Sequence, residues 1–370
     1  MARPIVIAAG GTGGHLFPAE ALAVALLARG ERIALMTDAR SAAFDSPAFA
    51  NAERFSLPGA GLSGRGVFSA LRGAAALASG TFAARRLFKR LDASAVVGFG
   101  GYASVPPVMA ASMMGKDRRP ALVLHEQNAV LGRANRALAP RADLLALSFA
   151  GTTRVPQGAQ CEVLGNPVRP ALAALSGGSY PAPEGALRLL VTGGSLGARI
   201  FADVVPDAVA LLPEALRARL VITQQARAED FSRTRDAYAA LGIPAEVSAF
   251  FPDIANRLSM AQLVIARAGA STIAELACAG RPAILVPLPH AIDDHQSANA
   301  RALADAGAAV VMPQPGFTPE ALAAQLTTLL ADSAGLARMA EAARPLSRPH
   351  AASVLADRVQ ALVAARAEAG

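Results

Sequence analysis

The chain has 370 residues, 53% of them hydrophobic and 17% charged, so we expect two domains with ample cores and not a disordered polymer. Its formal charge of +7 at pH 7 suits a phosphorylated substrate or an anionic membrane. Nucleic acid is disfavoured because aromatics make up only 5% of the chain and do not alternate with basic residues. Two cysteines without CxxC spacing indicate neither a disulfide framework nor a structural zinc site.

The first element pattern is a strand, a glycine-rich turn and a helix. Residues 4–9 read as a buried parallel strand, residues 10–15 (GGTGGH) as the turn, and a helix is expected from about Phe17. The turn fits neither a Walker A loop nor G-x-G-x-x-G, but its glycines let backbone amides approach a ligand. His15 stands where the helix begins. A single histidine there is more often a cap or a packed residue, yet the surrounding glycines favour a site residue.

Residues 54–91 carry seven Arg or Lys residues and no acid, with apolar residues among them. This pattern suits contact with an anionic lipid surface. The alternative is a helix that packs its apolar face on the sheet while its arginines are merely solvated. The next stretch, 93–115, has no charge, but glycines and prolines divide it into strand, loop and helix, so we expect no transmembrane segment.

Two further strands end in polar or glycine-rich turns. One runs from Val96 into GFGGY at 98–102, and the other, 121–124, leads directly into HEQN at 125–128. Ligands of open parallel sheets bind outside the carboxyl ends of the strands, so these turns and residues 10–15 should converge. HEQN is not the zinc motif HExxH, because its second histidine is missing.

The pattern then restarts. Strand 187–192, turn 193–197 and a helix from Ala198 repeat the beginning of the chain, which predicts two doubly wound halves with a crossover near 165–169. The turn also matches the G-x-S-x-G elbow of α/β-hydrolases, with Ser195 as nucleophile and His295 downstream. Against that reading, the acid would be Asp293 or Asp294, too close to His295 for a triad.

Residues 263–300 predict an anion site. Strand Leu263–Ala266 is followed by a small-residue turn, a helix over 273–279 and the stop Gly280. A helix N-terminus after a tight turn favours phosphate, and Glu275, one turn in, would accept hydrogen bonds from sugar hydroxyls. A polar loop over 290–299 follows. It suits either metal ligands or substrate hydroxyls, and no further cluster completes a metal shell, so we expect no metal.

Six of these segments, in order over about 300 residues, resemble the MurG family of bacterial N-acetylglucosamine transferases. They are GGTGGHLFPA at 10–19, GFGGY at 98–102, HEQN at 125–128, GNPVR at 165–169, TGGSLGAR at 192–199 and the stretch 267–299. The resemblance implies an α/β GT-B fold, with two Rossmann-like, doubly wound parallel-sheet domains facing across a cleft. It implies an acceptor and membrane-side domain at 1–165, a UDP-GlcNAc-binding domain at 166–347, and a C-terminal helix at about 348–370 that packs back on the first domain.

The implied reaction moves N-acetylglucosamine from UDP-GlcNAc to the C4 hydroxyl of N-acetylmuramic acid in lipid I, the undecaprenyl-pyrophosphate-linked pentapeptide, with inversion and without a cofactor. By similarity, the turn of the first domain and Asn128 lie by the donor sugar, Arg169 and Ser195 contact UDP, Phe251 or its backbone the uracil, Glu275 the ribose and Gln296 the sugar hydroxyls. Whether Asp294, His295 or Gln296 meets the sugar stays open. The implied substrate-binding set is Thr12, Gly13, Gly14, Asn128, Arg169, Ser195, Phe251, Ala270, Ser271, Thr272, Ile273, Ala274, Glu275 and Gln296.

Two candidates, His15 and Glu126, are available as the general base, and we favour His15 because its glycine turn permits close approach. The resemblance also favours a membrane-facing role for residues 65–90 and a peripheral location on the cytoplasmic face of the inner membrane. Three alternatives remain: another GT-B UDP-sugar transferase, an epimerase of the same fold, and a nucleotide-sugar-binding module without turnover.

Overall fold

The structure, a computed structural model, describes residues 3–11, 13–39, 41, 46–58, 67–115, 119–194 and 197–369. The chain forms two compact units. The first comprises residues 1–169 and 350–370, and the second residues 170–349. Each unit is built on a parallel sheet with helices on its faces, which confirms the predicted α/β class of two doubly wound domains.

The first unit holds a seven-stranded parallel sheet in the order β3-β2-β1-β4-β5-β6-β7. Its strands are β1 (Ile5–Ala8), β2 (Ile33–Thr37), β3 (Glu53–Ser56), β4 (Ala95–Gly98), β5 (Ala121–Glu126), β6 (Leu144–Leu147) and β7 (Cys161–Val163). The sequence pattern missed β3. This edge strand is largely exposed, so it lacks the apolar run that marks the central strands.

The helices of this unit are α1 (Gly13–Leu27), α2 (Val67–Leu91), α3 (Gly101–Ser112), α4 (Arg133–Leu138) and the C-terminal α14 (Ala351–Ala369). Alternate residues of β1 serve the two faces of the sheet: Ile5 and Ile7 pack with α1 and α14, whereas Val6 and Ala8 pack with α2 and α3. Helix α1 begins at Gly13, earlier than the expected start near Phe17. The start was expected later because the first two residues of the helix are glycines, which have poor helix propensity.

Helix α14 packs beside α1 in the first unit, although it follows the second unit in the chain. Arg29 donates hydrogen bonds to the backbone oxygen of Ser353 at 3.0 Å and to Oδ1 of Asp357 at 2.6 Å. Arg366 reaches Asp143, just before β6, at 2.9 Å. These ties place the last helix on the sheet that carries the first glycine turn.

The second unit holds a six-stranded parallel sheet in the order β10-β9-β8-β11-β12-β13. Its strands are β8 (Leu187–Thr192), β9 (Leu220–Gln225), β10 (Ala245–Ser248), β11 (Leu263–Ala266), β12 (Ala283–Leu285) and β13 (Ala309–Val311). Its helices are α5 (Pro170–Ala173), α6 (Arg199–Ala210), α7 (Glu214–Arg217), α8 (Phe231–Ala240), α9 (Ile254–Met260), α10 (Ala270–Ala279), α11 (His295–Ala304), α12 (Pro319–Ala331) and α13 (Ser333–Ala343).

Two details of this unit differ from the sequence expectation. The segment 290–299 was expected to be a polar loop, but a short 3-10 turn, Ile292–Asp294, leads into α11 at His295. The start of α11 was hidden because polar residues dominate its first turn and give no apolar periodicity. Helix α13 was also missed. In the described residues, no helix is long and apolar enough to cross a membrane.

Candidate active site

Three turns at the carboxyl ends of β1, β4 and β5 meet around His15 in the first unit. His15 lies in the first turn of α1, and its Nδ1 is 3.0 Å from Oε1 of Gln127, which follows β5. The turn after β4 lies against the same ring, because a Cβ built on Gly101 would be 3.3 Å from Nε2 of His15. The structure thus brings together the three strand ends that the sequence predicted to converge.

No described residue forms a hydrogen bond with Nε2 of His15, and the side chain is half-buried. This imidazole nitrogen is therefore available to a ligand. Gly100 and Gly101 both have positive φ, +77° and +69°, and together they make room for the ring. In this arrangement the glycines of GFGGY make room for the imidazole.

The carboxylate of the second candidate base, Glu126, accepts hydrogen bonds from the loop that follows it. Oε1 accepts from the backbone N–H and the side-chain amide of Asn128, at 3.0 and 3.1 Å. Oε2 accepts at 2.9 Å from both the N–H of Gly132 and the amide of Asn135. Glu126 is only 2% exposed, and four donors therefore occupy the oxygens of a buried side chain.

The other predicted residues of this unit lie around the same edge of the sheet. Gly13 and Gly14 open α1, while Thr12 lies outside the described residues. The guanidinium of Arg169 stacks over the ring of Phe17, with its carbon 4.6 Å from the ring centroid. Phe17 is the second residue after His15, so this cation–π contact sets Arg169 beside the first turn of α1.

In the second unit the N-terminus of α10 carries the features of an anion site. Gly269 precedes the helix without a side-chain cap, and Oγ of Ser271 is buried with no hydrogen-bond partner in the described part of the chain. The N–H of Ile273 donates to the carbonyl of Gly269 at 3.0 Å. The amides of residues 270–272 therefore remain for a ligand, because α-helices leave their first N–H groups unpaired.

Two residues of the implied substrate-binding set, Ile273 and Ala274, use their backbone N–H groups inside the fold. Ile273 uses its N–H within the turn, and Ala274 lies deep enough in α10 for the regular bond to Ala270. The helix ends as expected at Gly280, whose φ of 59° and ψ of 51° make a left-handed cap.

A buried glutamine holds the glycine turn after β8. Oε1 of Gln225 accepts from the N–H of Gly193 at 3.0 Å, and its amide donates to the carbonyl of Gly194 at 2.9 Å. Position 193 has room only for glycine, because a Cβ there would lie 2.3 Å from the backbone nitrogen of Ala198. Ser195 lies outside the described residues. Gln225 was not among the predicted site residues. Its position at the end of β9, the strand next to β8, would have indicated that it lies beside this turn.

The remaining predicted residues have distinct surroundings. Glu275 is half-buried on α10, and Oε1 of Gln296 on α11 accepts from the N–H of Leu288 at 2.9 Å. Phe251 is 6% exposed and its ring lies under Arg257, 4.2 Å from the guanidinium carbon, so the ring offers little surface to a base. Asn299, fully buried, donates to the carbonyl of Ala268 and supports the turn before α10.

The geometry disfavours the two other readings of this region. Nδ1 of His295 is 2.8 Å from the carbonyl oxygen of Ile292, and Asp294 accepts from Ser297, so these two residues are not paired as in a triad. Within the described residues, no group of three or more His, Cys, Asp or Glu side chains is placed to hold a metal ion.

Comparisons with known proteins agree with this architecture. The N-terminal domain of glycosyltransferase family 28 matches residues 5–146, and its C-terminal domain matches residues 188–358. A protein of Granulibacter bethesdensis is 57% identical over 100% of this chain and 96% of its own, and one of Acidiphilium cryptum is 54% identical over 99% and 98%. Both carry the name UDP-N-acetylglucosamine–N-acetylmuramyl-(pentapeptide) pyrophosphoryl-undecaprenol N-acetylglucosamine transferase.

The solved structure of Acinetobacter baumannii MurG superposes with a TM-score of 0.77 at 32% identity, covering 97% of this chain and 99% of that one. The two doubly wound units therefore define a glycosyltransferase of the GT-B type. More narrowly, the chain belongs to glycosyltransferase family 28. A putative UDP-N-acetylglucosamine 2-epimerase from Listeria monocytogenes, at 16% identity and a TM-score of 0.64, shares the fold alone.

Proposed function

We propose that the protein transfers N-acetylglucosamine from UDP-GlcNAc to the C4 hydroxyl of N-acetylmuramic acid in lipid I, with inversion at the anomeric carbon. The observation that carries this choice of substrates is the near-full-length similarity, at 54–57% identity, to relatives named for this transfer. The proposed roles of individual residues rest on the contacts described above.

The second unit is assigned the donor. The free amides of residues 270–272 and the helix dipole of α10 would stabilise the charge that develops on the departing diphosphate. The buried hydroxyl of Ser271 offers one more donor there. Glu275 would accept from the ribose hydroxyls, the backbone at Phe251 would meet the uracil, and Gln296 would face the sugar. Arg169 adds positive charge for UDP from the end of the first unit.

The first unit is assigned the acceptor and the base. The C4 oxygen of the acceptor forms a bond to the anomeric carbon of the donor as that carbon's bond to the phosphate oxygen breaks, and UDP leaves with the electron pair. The hydroxyl proton passes to Nε2 of His15, the ring nitrogen without a described partner. Glu126 is assigned to loop structure because its oxygens are already occupied.

We also propose that α2 attaches the protein to the anionic, cytoplasmic face of the inner membrane, where a lipid-linked acceptor resides. Leu71 and Phe82 on this helix are 62% and 61% exposed, and Arg86 and Lys89 continue the same stripe at helical spacing. Exposed apolar residues beside cations favour an anionic lipid surface over simple solvation. Arg65 lies outside the described residues.

UDP release from UDP-GlcNAc, measured with and without a soluble lipid I analogue, tests the proposed reaction. Release that depends on the analogue, with a disaccharide product, is expected. Equal turnover of UDP-glucose would contradict the named donor. Conversion of UDP-GlcNAc to its 2-epimer without acceptor would indicate the epimerase reading, and binding of UDP-GlcNAc without turnover would indicate a binding module.

A further inference from the structure

A continuous chain of hydrogen bonds runs from His15 into the core of the first unit. Nδ1 of His15 lies 3.0 Å from Oε1 of Gln127, and Nε2 of Gln127 lies 2.9 Å from Nδ1 of His125. Nε2 of His125 lies 3.0 Å from the carbonyl oxygen of Gly165. His125 and Gln127 are 0% and 2% exposed, so bulk water does not compete for these bonds.

Two backbone carbonyls determine the direction of every bond in this chain. The oxygen of Gly165 can only accept, so Nε2 of His125 carries a proton and donates. Burial lowers the pKa of His125 to about 4, so the ring is neutral and its Nδ1 is an acceptor. The amide of Gln127 points at that acceptor and, at 3.1 Å, at the carbonyl oxygen of His125 itself.

With its amide nitrogen held by two acceptors, Gln127 presents its oxygen to His15. The nitrogen of His15 that faces this oxygen must therefore carry the proton. We propose that Gln127 and His125 are positioning residues that hold His15 as the tautomer protonated at Nδ1, leaving Nε2 as the basic nitrogen. The inference rests on the proposed function, in which His15 is the general base, and adds the residues that set its protonation.

An amide in this place has a chemical consequence. A carboxylate facing Nδ1 would strongly stabilise the imidazolium, whereas the neutral oxygen of Gln127 orients the ring without placing a full negative charge beside it. The charged groups of the packed elements are engaged elsewhere. Glu20 accepts from Ser46, Asp38 from the N–H of Ser41, and Glu126 from the loop after β5. Burial lowers the pKa of His125, which is linked to His15 through Gln127, to about 4, so this ring is neutral at pH 7.

Nitrogen NMR of protein labelled with 15N in its five histidines tests the tautomer directly. The resonances are assigned by single His→Gln variants. We expect Nδ1 of His15 to show the shift of a protonated nitrogen and Nε2 that of a nitrogen with a lone pair. His125 should show the opposite pattern. Nε2-protonated His15 in the wild-type protein would overturn the proposal.

Two substitutions separate positioning from mere packing. Gln127→Met keeps the length of the side chain but removes its three hydrogen bonds, so kcat should fall about tenfold or more while KM for UDP-GlcNAc is unchanged. Gln127→Glu restores an oxygen toward Nδ1, so it should recover the tautomer and move the acid limb of the kcat/KM profile to higher pH. Gln157→Met, at an exposed position, is the matched control and should behave like the wild type.

The outcomes distinguish this inference from the proposed function. A Gln127→Glu enzyme whose pH profile matches the wild type, or a Gln127→Met protein in which His15 keeps its Nδ1 proton, would contradict the positioning role. Loss of activity in His15→Ala would still support the base assignment in either case. If His15→Ala keeps full kcat while the NMR pattern is as expected, the base assignment fails and the hydrogen-bonded chain stands.

Discussion

Gly101 packs directly against the imidazole of His15. A Cβ built on Gly101 would lie 3.2 Å from Cδ2 of the ring, and the residue adopts a φ of +69°, which side chains rarely take. Two independent constraints, space and backbone conformation, therefore require glycine at this position.

We expect Gly101→Ala to destabilise the first unit by about 1–2 kcal/mol, the usual cost of a left-handed conformation for a side-chain-bearing residue. It should also lower kcat, because the ring of His15 must move from its bond to Gln127. Thermal unfolding and steady-state kinetics measure the two effects. Gly115→Ala is the control, since a Cβ there meets nothing within 4 Å. Equal kcat in both variants would contradict the contact's role.

Substitution of His15 should mainly lower kcat, whereas substitution of Glu126 should mainly lower stability. His15→Ala removes the proposed base, so we expect kcat to fall roughly 10²- to 10⁴-fold with little change in Tm. Glu126→Gln turns an amide toward donors of Asn128 or Asn135, which should cost about 1–3 kcal/mol of stability. Circular dichroism melts and kcat for both variants test this. An unchanged melting curve in Glu126→Gln would refute the structural assignment.

The buried hydroxyl of Ser271 should matter to the ligand and not to the fold. Ser271→Ala removes a donor that has no partner among the described residues, so stability should stay the same or rise slightly. If the hydroxyl meets the diphosphate, Kd for UDP should rise about three- to tenfold, as expected for one hydrogen bond. Calorimetric titration with UDP measures it, with uridine as the control ligand. Equal losses for UDP and uridine would place the hydroxyl away from the phosphates.

The buried His125 predicts a loss of stability in mild acid. Burial lowers its pKa from 6.5 to about 4, so between these values the unfolded chain binds a proton that the native protein does not. Stability is therefore complete above about pH 6.5 and falls as pH drops toward 4, by on the order of 3 kcal/mol at about 1.4 kcal/mol per pKa unit.

Denaturant unfolding at several pH values between 7 and 4 checks this prediction. His125→Gln should flatten the decline whatever its stability at pH 7, because the slope reports proton uptake. His350→Gln, at an exposed position, is the control and should leave the slope unchanged. A slope that persists in His125→Gln would assign the acid sensitivity to other groups.

The exposed stripe of α2 should govern membrane binding. Neutralising Arg86 and Lys89 to Gln should weaken binding to vesicles containing phosphatidylglycerol by about 1 kcal/mol per charge, a roughly 30-fold effect in total. Phe82→Ser should weaken it further, by removing apolar area. Neutral vesicles and the charge-matched pair Arg338→Gln with Arg348→Gln, on the second unit, are the controls. Equal binding by both charge variants would indicate that the cations of α2 are merely solvated and do not contact lipid.

Much of the second unit could be predicted from the sequence because its determinants are local. The strand before α10 and the left-handed stop at Gly280 follow from a short run of apolar, small and glycine residues, whereas α10 begins at Ala270, three residues before the expected start at 273. Helix α11 escaped prediction because its first turn is polar and follows two residues, Asp293 and Asp294, with positive φ.

In the first unit, the sequence by itself determined that three strands end in glycine or polar residues. Because the carboxyl ends of parallel strands lie at one edge of a doubly wound sheet, it also predicted that these three turns converge. It offered His15 and Glu126 as candidates for the base and favoured His15 because of its glycine turn. Only the tertiary structure shows their surroundings: four donors surround the carboxylate of Glu126, and one nitrogen of His15 has no described partner. His15 lies 3.0 Å from Gln127, which is 112 residues further along the chain, and His125 lies 3.0 Å from the carbonyl oxygen of Gly165, 40 residues further along. Hydrogen bonds between positions so far apart have no signature in local pattern, because they exist only once the sheet has formed.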